Sequence, residues 1–322
     1  MQSHWPGSIL LEDASPDLRL AFAEEMQHQC IDAGRSQALA AVYLPLATWI
    51  AARHQTKGNA STLIVGINGA QGSGKSTLCA FLARILEVQH HLNVAVLSID
   101  DLYHDRSTRQ CLARQIHPLL ATRGVPGTHD IALGQQLFDR LASSSEGTHD
   151  VRLPVFDKAT DDRLPENRWR PCKAPVDIIL FEGWCVGAVP EKEAALSTAI
   201  NLLEQQEDPD GAWRRYVNTR LGDDYARLFQ RLDCLIMLKI PDFASIRCWR
   251  GLQEQKLREK LEASGETGGH LMTATELDRF IMHYERLTRH QLAEMPTRAD
   301  MVLTLDQDHE FCGMTMPSPL QP

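Results

Sequence analysis

Apolar residues along the chain fall into two kinds of run, and the alternation of these runs predicts the fold. Short continuous runs of the length expected for buried strands cover residues 63–67, 94–99, 176–181, 234–240 and 301–305. Between them, apolar residues recur at helical spacing, for example at positions 78, 81, 82, 85 and 86. Strands that alternate with helices predict an α/β fold, a doubly wound parallel sheet with helices on both faces.

The first 58 residues are predicted to form a helical N-terminal extension. Residues 16–53 carry apolar side chains at helical spacing in two pieces. The stronger apolar stripe is formed by Leu39, Val42, Tyr43, Leu46, Trp49 and Ile50. We therefore expect residues 1–58 to pack on the core, residues 59–310 to form one domain, and the proline-rich residues 311–322 to form a tail.

A glycine-rich segment follows the first predicted strand directly. Residues 69–76 match the pattern Gly-x-x-x-x-Gly-Lys-Ser/Thr of phosphate-binding loops, or P-loops. The order strand, loop and helix supports this function, because loop N–H groups and the helix N-terminus then point at the phosphates. Lys75 is expected to reach the β- and γ-phosphates, and the Ser76 hydroxyl to bind Mg²⁺. The predicted phosphate-binding residues are Gly69, Ala70, Gln71, Gly72, Ser73, Gly74, Lys75, Ser76 and Thr77.

Acidic residues follow two of the other predicted strands. Ligands of open parallel sheets bind at the carboxyl ends of the strands. Asp100 and Asp101 end the second strand, and since neighbouring side chains alternate in direction, we expect only one of them to face the phosphates. Asp177 begins the strand that Glu182 ends, and five residues at ~3.3 Å each separate the two by about 16 Å. Glu182 is therefore the predicted acid on the Mg²⁺ side.

Two polar loops supply candidate groups for binding an acceptor. One covers residues 116–130, and a helix is predicted to begin near Asp130; the other covers residues 153–163. The candidate groups are Arg123, His129, Asp157, Lys158 and Arg163. They suit a hydroxylated anionic substrate, but ordinary surface charge, with a helix cap near residue 129, explains them equally well.

A segment over about 243–272 is predicted to form a lid. Its helix carries several cations, including Arg247 and Arg250, and a glycine-rich loop follows. Such a segment suits closure over phosphate, whereas pairing of the cations with Glu254, Glu259 and Glu262 would make it a solvated face. Thr273 and Glu276 have the spacing of a capping box before an amphipathic helix.

The composition limits the classes of partner that the protein is expected to bind. The 322 residues are 43% hydrophobic and 23% charged, as in an ordinary globular protein, and the formal net charge is −9. This balance argues against a nucleic-acid or anionic-membrane surface, so an anionic substrate needs local cations in its cleft.

The sequence shows neither a targeting signal nor a Cys-x-x-Cys motif. The eight cysteines include no Cys-x-x-Cys pair, which favours reduced thiols and a cytoplasmic location. The first residues do not read as a signal peptide, and no run approaches the ~18 apolar residues of a membrane span.

Several motifs resemble known kinases. Residues 98–103, 154–157 and 181–183 resemble the phosphoribulokinase/uridine kinase group of P-loop kinases. A closer resemblance, to the D-glycerate 3-kinase family, is carried by residues 123–130, 153–158 and 180–184. The likeness covers about residues 40–305 in order, although residues 158–163 are shorter than the Gly/Arg-rich loop of the plant-type enzymes and Phe156 replaces a tyrosine.

The resemblance implies ATP as donor, Mg²⁺ as cofactor and D-glycerate as acceptor, with 3-phosphoglycerate as product. By position, Asp100 would be the general base, and Arg247 or Arg250 would stabilise charge as the lid closes. The carboxylate of the acceptor would be bound by Arg123, Lys158 or Arg163. The full set of candidate substrate contacts is Asp100, Tyr103, Arg123, His129, Asp157, Lys158 and Arg163.

The sequence leaves two alternatives open. The first is another acceptor, such as pantothenate, a nucleoside or a different sugar acid. The second is a nucleotide-dependent switch without catalysis, although the Asn-Lys-x-Asp guanine reader of a GTPase is not in the sequence. The acid after the second strand has no evident role in a switch, and this favours a kinase. The sequence does not determine the oligomeric state.

Overall fold

The computed structural model describes residues 10–58, 61–145, 147–251 and 273–316. Two helices precede the first strand, α1 (Pro16–His28) and α2 (Ser36–Lys57). The α1 helix begins where the Ser15 side chain accepts a hydrogen bond from the backbone N–H of Leu18. The rings of Phe22 and Tyr43 pack on Phe81 of the next helix, with ring centroids 4.7 and 5.2 Å apart respectively.

Strands and helices then alternate through the rest of the described chain. The first half contains β1 (Leu63–Gly69), α3 (Lys75–His90), β2 (Val94–Ser98), α4 (Arg106–Gln115), α5 (Ile131–Ala142), β3 (His149–Leu153), β4 (Phe156–Asp157) and β5 (Asp162–Arg163). The second half contains β6 (Arg170–Ala174), β7 (Ile178–Gly183), α6 (Leu202–Glu207), α7 (Ala212–Arg220), α8 (Ala226–Phe229), β8 (Cys234–Lys239), α9 (244–251), α10 (Ala274–Glu294), β9 (Met301–Leu305) and β10 (Phe311–Thr315).

Six strands form the central sheet in the order β10-β9-β8-β1-β7-β2. All neighbours are parallel except β9 and β10. Glu182 of β7 pairs with Ile67 of β1 on one side and with Ser98 of β2 on the other. The carboxyl ends of these three strands therefore meet at one edge, where the residues that follow them can form a site.

Side chains of β7 alternate between two hydrophobic layers. Ile178 and Leu180 pack in the layer that contains α1, α2 and α3, whereas Ile179 and Phe181 pack in the layer that contains α5 and α8. Alternation with a period of two places helices on both faces of the sheet. The predicted α/β fold is confirmed.

Two further strand pairs lie outside the central sheet. β3 pairs with β6, and β4 pairs with β5 in a short hairpin whose turn carries Lys158. The sequence indicated only a polar loop there, and it placed residues 311–322 in a tail, whereas β10 pairs with β9 as the edge strand. Helix starts are as expected, since Asp130 caps α5 and Thr273 with Glu276 forms a capping box on α10.

Every helix within the described ranges is too short or too polar to cross a bilayer. The eight cysteines all lie within those ranges and are free thiols. Cys79, Cys185 and Cys234 are buried, and burial raises the pKa of each thiol.

Candidate active site

The loop between β1 and α3 has the backbone of a phosphate-binding loop. Gly72 and Gly74 have φ values of 81° and 88°, a region that other residues rarely adopt. The Lys75 ammonium donates a hydrogen bond of 3.0 Å to the carbonyl of Ala70, so its side chain folds back over the loop. Because α3 begins at Lys75, the positive end of the helix also faces this site.

Most residues of this loop line one of two cavities. Gln71, Gly72, Lys75 and Ser76 line a cleft of about 280 Å³ together with Asp100. On the other side of the loop, Ser73, Gly74 and Thr77 line a separate cavity. The cleft is the candidate active site, because it joins the phosphate loop to the carboxyl ends of β2 and β7.

Ser76 and Glu182 come together in the cleft. The Ser76 hydroxyl donates a hydrogen bond of 2.7 Å to Glu182 Oε1, and Glu182 is only 5% exposed. A hydroxyl and a carboxylate oxygen at this separation suit Mg²⁺, which binds proteins through one or two carboxylates and takes other ligands from phosphate and water. Asp177 lies at the opposite end of the strand, where it accepts a hydrogen bond from the backbone N–H of Asn93.

Asp100 presents its carboxylate to the same cleft from a 3₁₀ turn after β2. One oxygen accepts a hydrogen bond of 3.0 Å from the Tyr103 hydroxyl, and the other accepts one of 2.9 Å from Lys158. Burial alone would raise the pKa of Asp100, but the Lys158 ammonium and, more weakly, Lys75 outweigh it and lower the pKa to about 2. Asp100 is therefore ionised at neutral pH.

Asp101 points away from the cleft, as expected for one of two adjacent acids. It accepts hydrogen bonds of 3.1 Å from the backbone N–H of Phe156 and from the Arg170 guanidinium. Burial raises the pKa of Asp101 despite these two partners. Its contacts join the 3₁₀ turn to the hairpin, and Asp100 is the acid that faces the phosphate loop.

Tyr103 lines the cleft, and His129 lies behind it. The two rings are stacked with centroids 4.4 Å apart. His129 is 2% exposed, and its Nδ1 is 2.5 Å from the Tyr225 hydroxyl. Burial lowers the pKa of His129 to about 3, so the ring is neutral at pH 7. The structure places His129 as support for Tyr103 and not among the residues that line the cleft.

Two of the predicted acceptor cations lie in the cleft, Arg123 and Lys158. The Arg123 guanidinium pairs with Asp161 and lies over the Phe156 ring, 5.5 Å from the ring centroid. Lys158 is the partner of Asp100 described above, and its side chain is 63% exposed. A carboxylate that enters the cleft would therefore meet both Arg123 and Lys158.

Two other candidates on the hairpin are engaged elsewhere. Arg163 pairs with Asp130 at 3.2 Å, and neither residue lines the cleft. The Asp157 carboxylate accepts hydrogen bonds from the backbone N–H of Ala159 and from the Thr160 hydroxyl. These contacts fix the turn of the hairpin.

The predicted lid lies mostly outside the described residues, since only 243–251 of it are described. Within that part, Arg250 lines the cleft. Arg247 does not, and its guanidinium forms two hydrogen bonds, of 2.6 and 2.8 Å, with Asp278 of α10.

Aromatic residues of the cleft carry a role that the sequence did not reveal. Trp184 Nε1 donates a hydrogen bond of 3.0 Å to the carbonyl of Gly124, and the Tyr284 hydroxyl donates one of 3.3 Å to the carbonyl of Arg123. A Cβ at Gly124 would lie 2.3 Å from the Tyr284 hydroxyl, so only glycine allows this approach. In the sequence, Tyr284 was marked only by the helical spacing of apolar residues, and Trp184 only by its position after β7. Neither feature distinguishes a residue of the cleft from a residue of the core.

Comparisons with known proteins find relatives of this chain among kinases. No family model matches the chain. The uncharacterized kinase mug58 of Schizosaccharomyces pombe is 30% identical over 237 residues, which are 71% of this chain and 81% of that protein. The chloroplastic D-glycerate 3-kinase of Arabidopsis thaliana is 26% identical over 288 residues, which are 83% of this chain and 59% of the plant protein.

Solved structures show the same fold. A D-glycerate 3-kinase from Cryptococcus neoformans superposes with a TM-score of 0.67 at 24% identity, over 85% of this chain and 97% of that one. The fold of a P-loop kinase is thereby confirmed, and the relatives found by sequence confirm the expected resemblance. With a phosphate loop, a facing carboxylate and these relatives together, the chain belongs to the D-glycerate 3-kinase family of P-loop kinases, phosphotransferases with an alcohol group as acceptor.

Proposed function

We propose that the protein transfers the γ-phosphoryl group of ATP to a hydroxyl of D-glycerate and so forms 3-phosphoglycerate. The observation that carries the proposal is one ionised acid, Asp100, that lines the same cleft as the phosphate loop and two cations, Arg123 and Lys158. A small hydroxy acid matches this arrangement, because Arg123 and Lys158 can bind its carboxylate while Asp100 accepts the proton of its hydroxyl. The relatives named D-glycerate 3-kinase support the same acceptor.

The donor is held by the phosphate loop. Lys75 and the loop N–H groups bind the phosphates, and Ser76 with Glu182 would hold Mg²⁺. Bound Mg²⁺ would neutralise charge on the β- and γ-phosphates. Because the phosphoryl group in flight carries its charge on three equatorial oxygens, positioning and nearby cations supply most of the catalysis.

On the acceptor side, the primary hydroxyl oxygen attacks the γ-phosphorus while its proton passes to Asp100. The bond from the γ-phosphorus to the β–γ bridging oxygen breaks, and ADP leaves with that oxygen. The hydrogen bond from Tyr103 fixes one oxygen of Asp100. If Lys158 turns from Asp100 to the acceptor carboxylate, the pKa of Asp100 rises toward the operating pH, as suits a general base.

Arg250 is proposed to stabilise the charge of the transferred group, because it already lines the cleft. Arg247 does not line the cleft, so we propose Arg250 before Arg247 for this role. The variants Arg247→Ala and Arg250→Ala test the two arginines separately.

The relative named D-glycerate 3-kinase favours a small hydroxy acid over pantothenate or a nucleoside as the acceptor. The second alternative, a nucleotide-dependent switch, leaves the ionised Asp100 without a role.

The experiment is a panel of acceptors in which ADP release from Mg·ATP is followed. D-Glycerate should stimulate release most strongly, above L-glycerate, other sugar acids, pantothenate and nucleosides. Lys75→Met, which removes the phosphate-binding cation, is the control for contaminating kinases. Preference for another acceptor would replace D-glycerate, and stimulation by none, with a large shape change on ATP binding, would favour the switch.

A further inference from the structure

A fully buried arginine lies directly behind the acceptor side of the cleft. Arg109 of α4 is 0% exposed. Its guanidinium donates hydrogen bonds of 3.2, 2.8 and 2.6 Å to the carbonyls of His104, Ala121 and Asp161. One side chain thus ties together the start of α4, the loop that leads to Arg123, and the β4–β5 hairpin.

Asp161 connects this buried group to the cleft. Its Oδ2 accepts a further hydrogen bond of 2.9 Å from Arg109, and its Oδ1 accepts one from Arg123. Asp161 has a φ of 55°, an uncommon conformation for a residue other than glycine. Both carboxylate oxygens are therefore committed, one to the buried arginine and one to the arginine of the cleft.

The two arginines also share an apolar neighbour. Phe156, at the start of the hairpin, has the Arg109 guanidinium 5.8 Å and the Arg123 guanidinium 5.5 Å from its ring centroid. The Arg123 side chain is 24% exposed and that of Asp161 is 37% exposed, so the network reaches from full burial to the surface of the cleft. None of these contacts involves the phosphate loop.

We propose that Arg109 is a positioning residue for acceptor recognition, which acts through Asp161 to fix the direction of the Arg123 guanidinium. This inference rests on the proposed function, since it assigns Arg123 to the carboxylate of the acceptor. A planar guanidinium binds a carboxylate through two parallel hydrogen bonds, and this geometry tolerates little rotation. Asp161, itself oriented by Arg109, prevents that rotation.

Position and charge make opposite predictions for Asp161→Asn. Removing a carboxylate from beside Arg123 makes the cleft more positive, so charge alone would tighten the binding of an anionic acceptor. If Asp161 acts by positioning, loss of its fixed hydrogen bonds loosens Arg123 and weakens that binding. The sign of the change in KM therefore separates the two roles.

The test is steady-state kinetics of Asp161→Asn with D-glycerate and ATP varied in turn. We expect KM for D-glycerate to rise about tenfold, the effect of losing one well-aligned charged hydrogen bond, while kcat and KM for ATP stay within about threefold. Asp150→Asn, which breaks the surface pair of Asp150 with Lys173, is the matched control and should leave all three values unchanged. An unchanged or lower KM for D-glycerate would overturn the proposal.

Arg109→Gln tests the buried end of the same path. It should raise KM for D-glycerate at least tenfold, and the double variant Arg109→Gln/Asp161→Asn should be no more than about threefold worse than the worse single variant. Effects that multiply to about a hundredfold would mean separate roles and would overturn the path. If Arg109→Gln fails to fold, Asp161→Asn decides alone, because Asp161 is partly exposed.

Failure of the inference and failure of the proposed function give different results. A wild-type enzyme that phosphorylates D-glycerate while Asp161→Asn keeps its KM overturns only the positioning role. If the wild type prefers another acid, the same variants are measured with that acid. If no acceptor with a carboxylate is phosphorylated, both proposals are wrong.

Discussion

At the scale of single residues, Asp100 is ionised because of its partners and not because of its exposure. Burial favours the neutral carboxyl, and the Lys158 ammonium at 2.9 Å reverses that preference. Tyr103 holds the second oxygen, while burial and the nearby carboxylate raise the pKa of its hydroxyl, so that Tyr103 remains a donor at neutral pH. The roles proposed for Asp100 and Lys158 each lead to a kinetic prediction.

Asp100→Asn should abolish proton acceptance while keeping the shape of the side chain. We expect turnover to fall by ~10²-fold or more, which is the magnitude of general-base catalysis. The dissociation constant of Mg·ATP, measured by calorimetry, should stay within about twofold, because Asp100 does not belong to the phosphate loop. Near-normal turnover would remove Asp100 from the role of base.

Lys158→Met should shift the acid side of the pH–rate profile. With the ammonium gone, burial raises the pKa of Asp100, so the base becomes protonated at a higher pH. The logarithm of kcat/KM should then begin to fall at a higher pH than in the wild type, where Lys158 holds the pKa of Asp100 at about 2. Lys173→Met, on β6, is the control, and superimposed profiles for Lys158→Met and the wild type would contradict the role of Lys158.

At the scale of elements, the loop that carries Arg123 is held from α10. The Tyr284 hydroxyl occupies the space that a Cβ at Gly124 would need. Gly124→Ala, at a φ of 143°, should destabilise the fold by about 1–3 kcal/mol and raise KM for the acceptor, because Arg123 moves with its loop. The measurements are urea unfolding and steady-state kinetics.

Gly58→Ala separates the two causes of that effect. Gly58 also has a positive φ, of 105°, but a Cβ there meets nothing within 4 Å. It should cost stability through the backbone alone and leave KM for the acceptor unchanged. Equal kinetic effects at both positions would show that the contact with Tyr284 is irrelevant.

The strands that could be predicted are those whose own residues form a continuous apolar run. β1, β7 and β8 are buried along their length and read as continuous apolar runs. β10 has the sequence Phe-Cys-Gly-Met-Thr, with Met314 as its one buried residue, and it forms a strand because β9 offers an open edge. The β4–β5 hairpin has two residues per strand and depends on long-range partners such as Asp101.

The candidate site divides in the same way. The phosphate loop, Asp100 and Glu182 could be predicted, because motif and position at strand ends identify them. Arg109 could not, since it lies on a polar helix where an arginine is normally exposed. For His129, the sequence could not separate a ligand from a support, and only the packing against Tyr103 does so.

At the scale of the whole molecule, two buried neutral histidines link folding to pH. Burial lowers the pKa of His129 to about 3 and that of His283 to about 4, below the unfolded value near 6.5. The unfolded chain therefore binds more protons than the folded one as pH falls below 6.5. The two histidines contribute fully to the stability of the fold above pH 6.5, and this contribution is lost as the pH falls toward their pKa values in the folded protein.

The free energy of unfolding should accordingly decrease between pH 7.5 and 5, with each histidine contributing about 2 kcal/mol. In His129→Asn, which can keep a polar contact to Tyr225, the free energy of unfolding should fall less over this pH range than in the wild type. In His28→Asn, at an exposed position, it should fall as much as in the wild type. Urea denaturation at several pH values measures it. An identical pH dependence in His129→Asn and the wild type would mean that His129 is not a buried neutral ring.

The cleft as a whole predicts one product, so the most direct measurement is product analysis by ³¹P NMR after incubation with Mg·ATP and D-glycerate. We expect ADP and 3-phosphoglycerate in equal amounts, with phosphate on the primary hydroxyl. ADP accompanied by inorganic phosphate alone, or D-glycerate recovered without phosphate, would contradict a cleft in which Ser76, Asp100 and Glu182 serve one transfer to this acid.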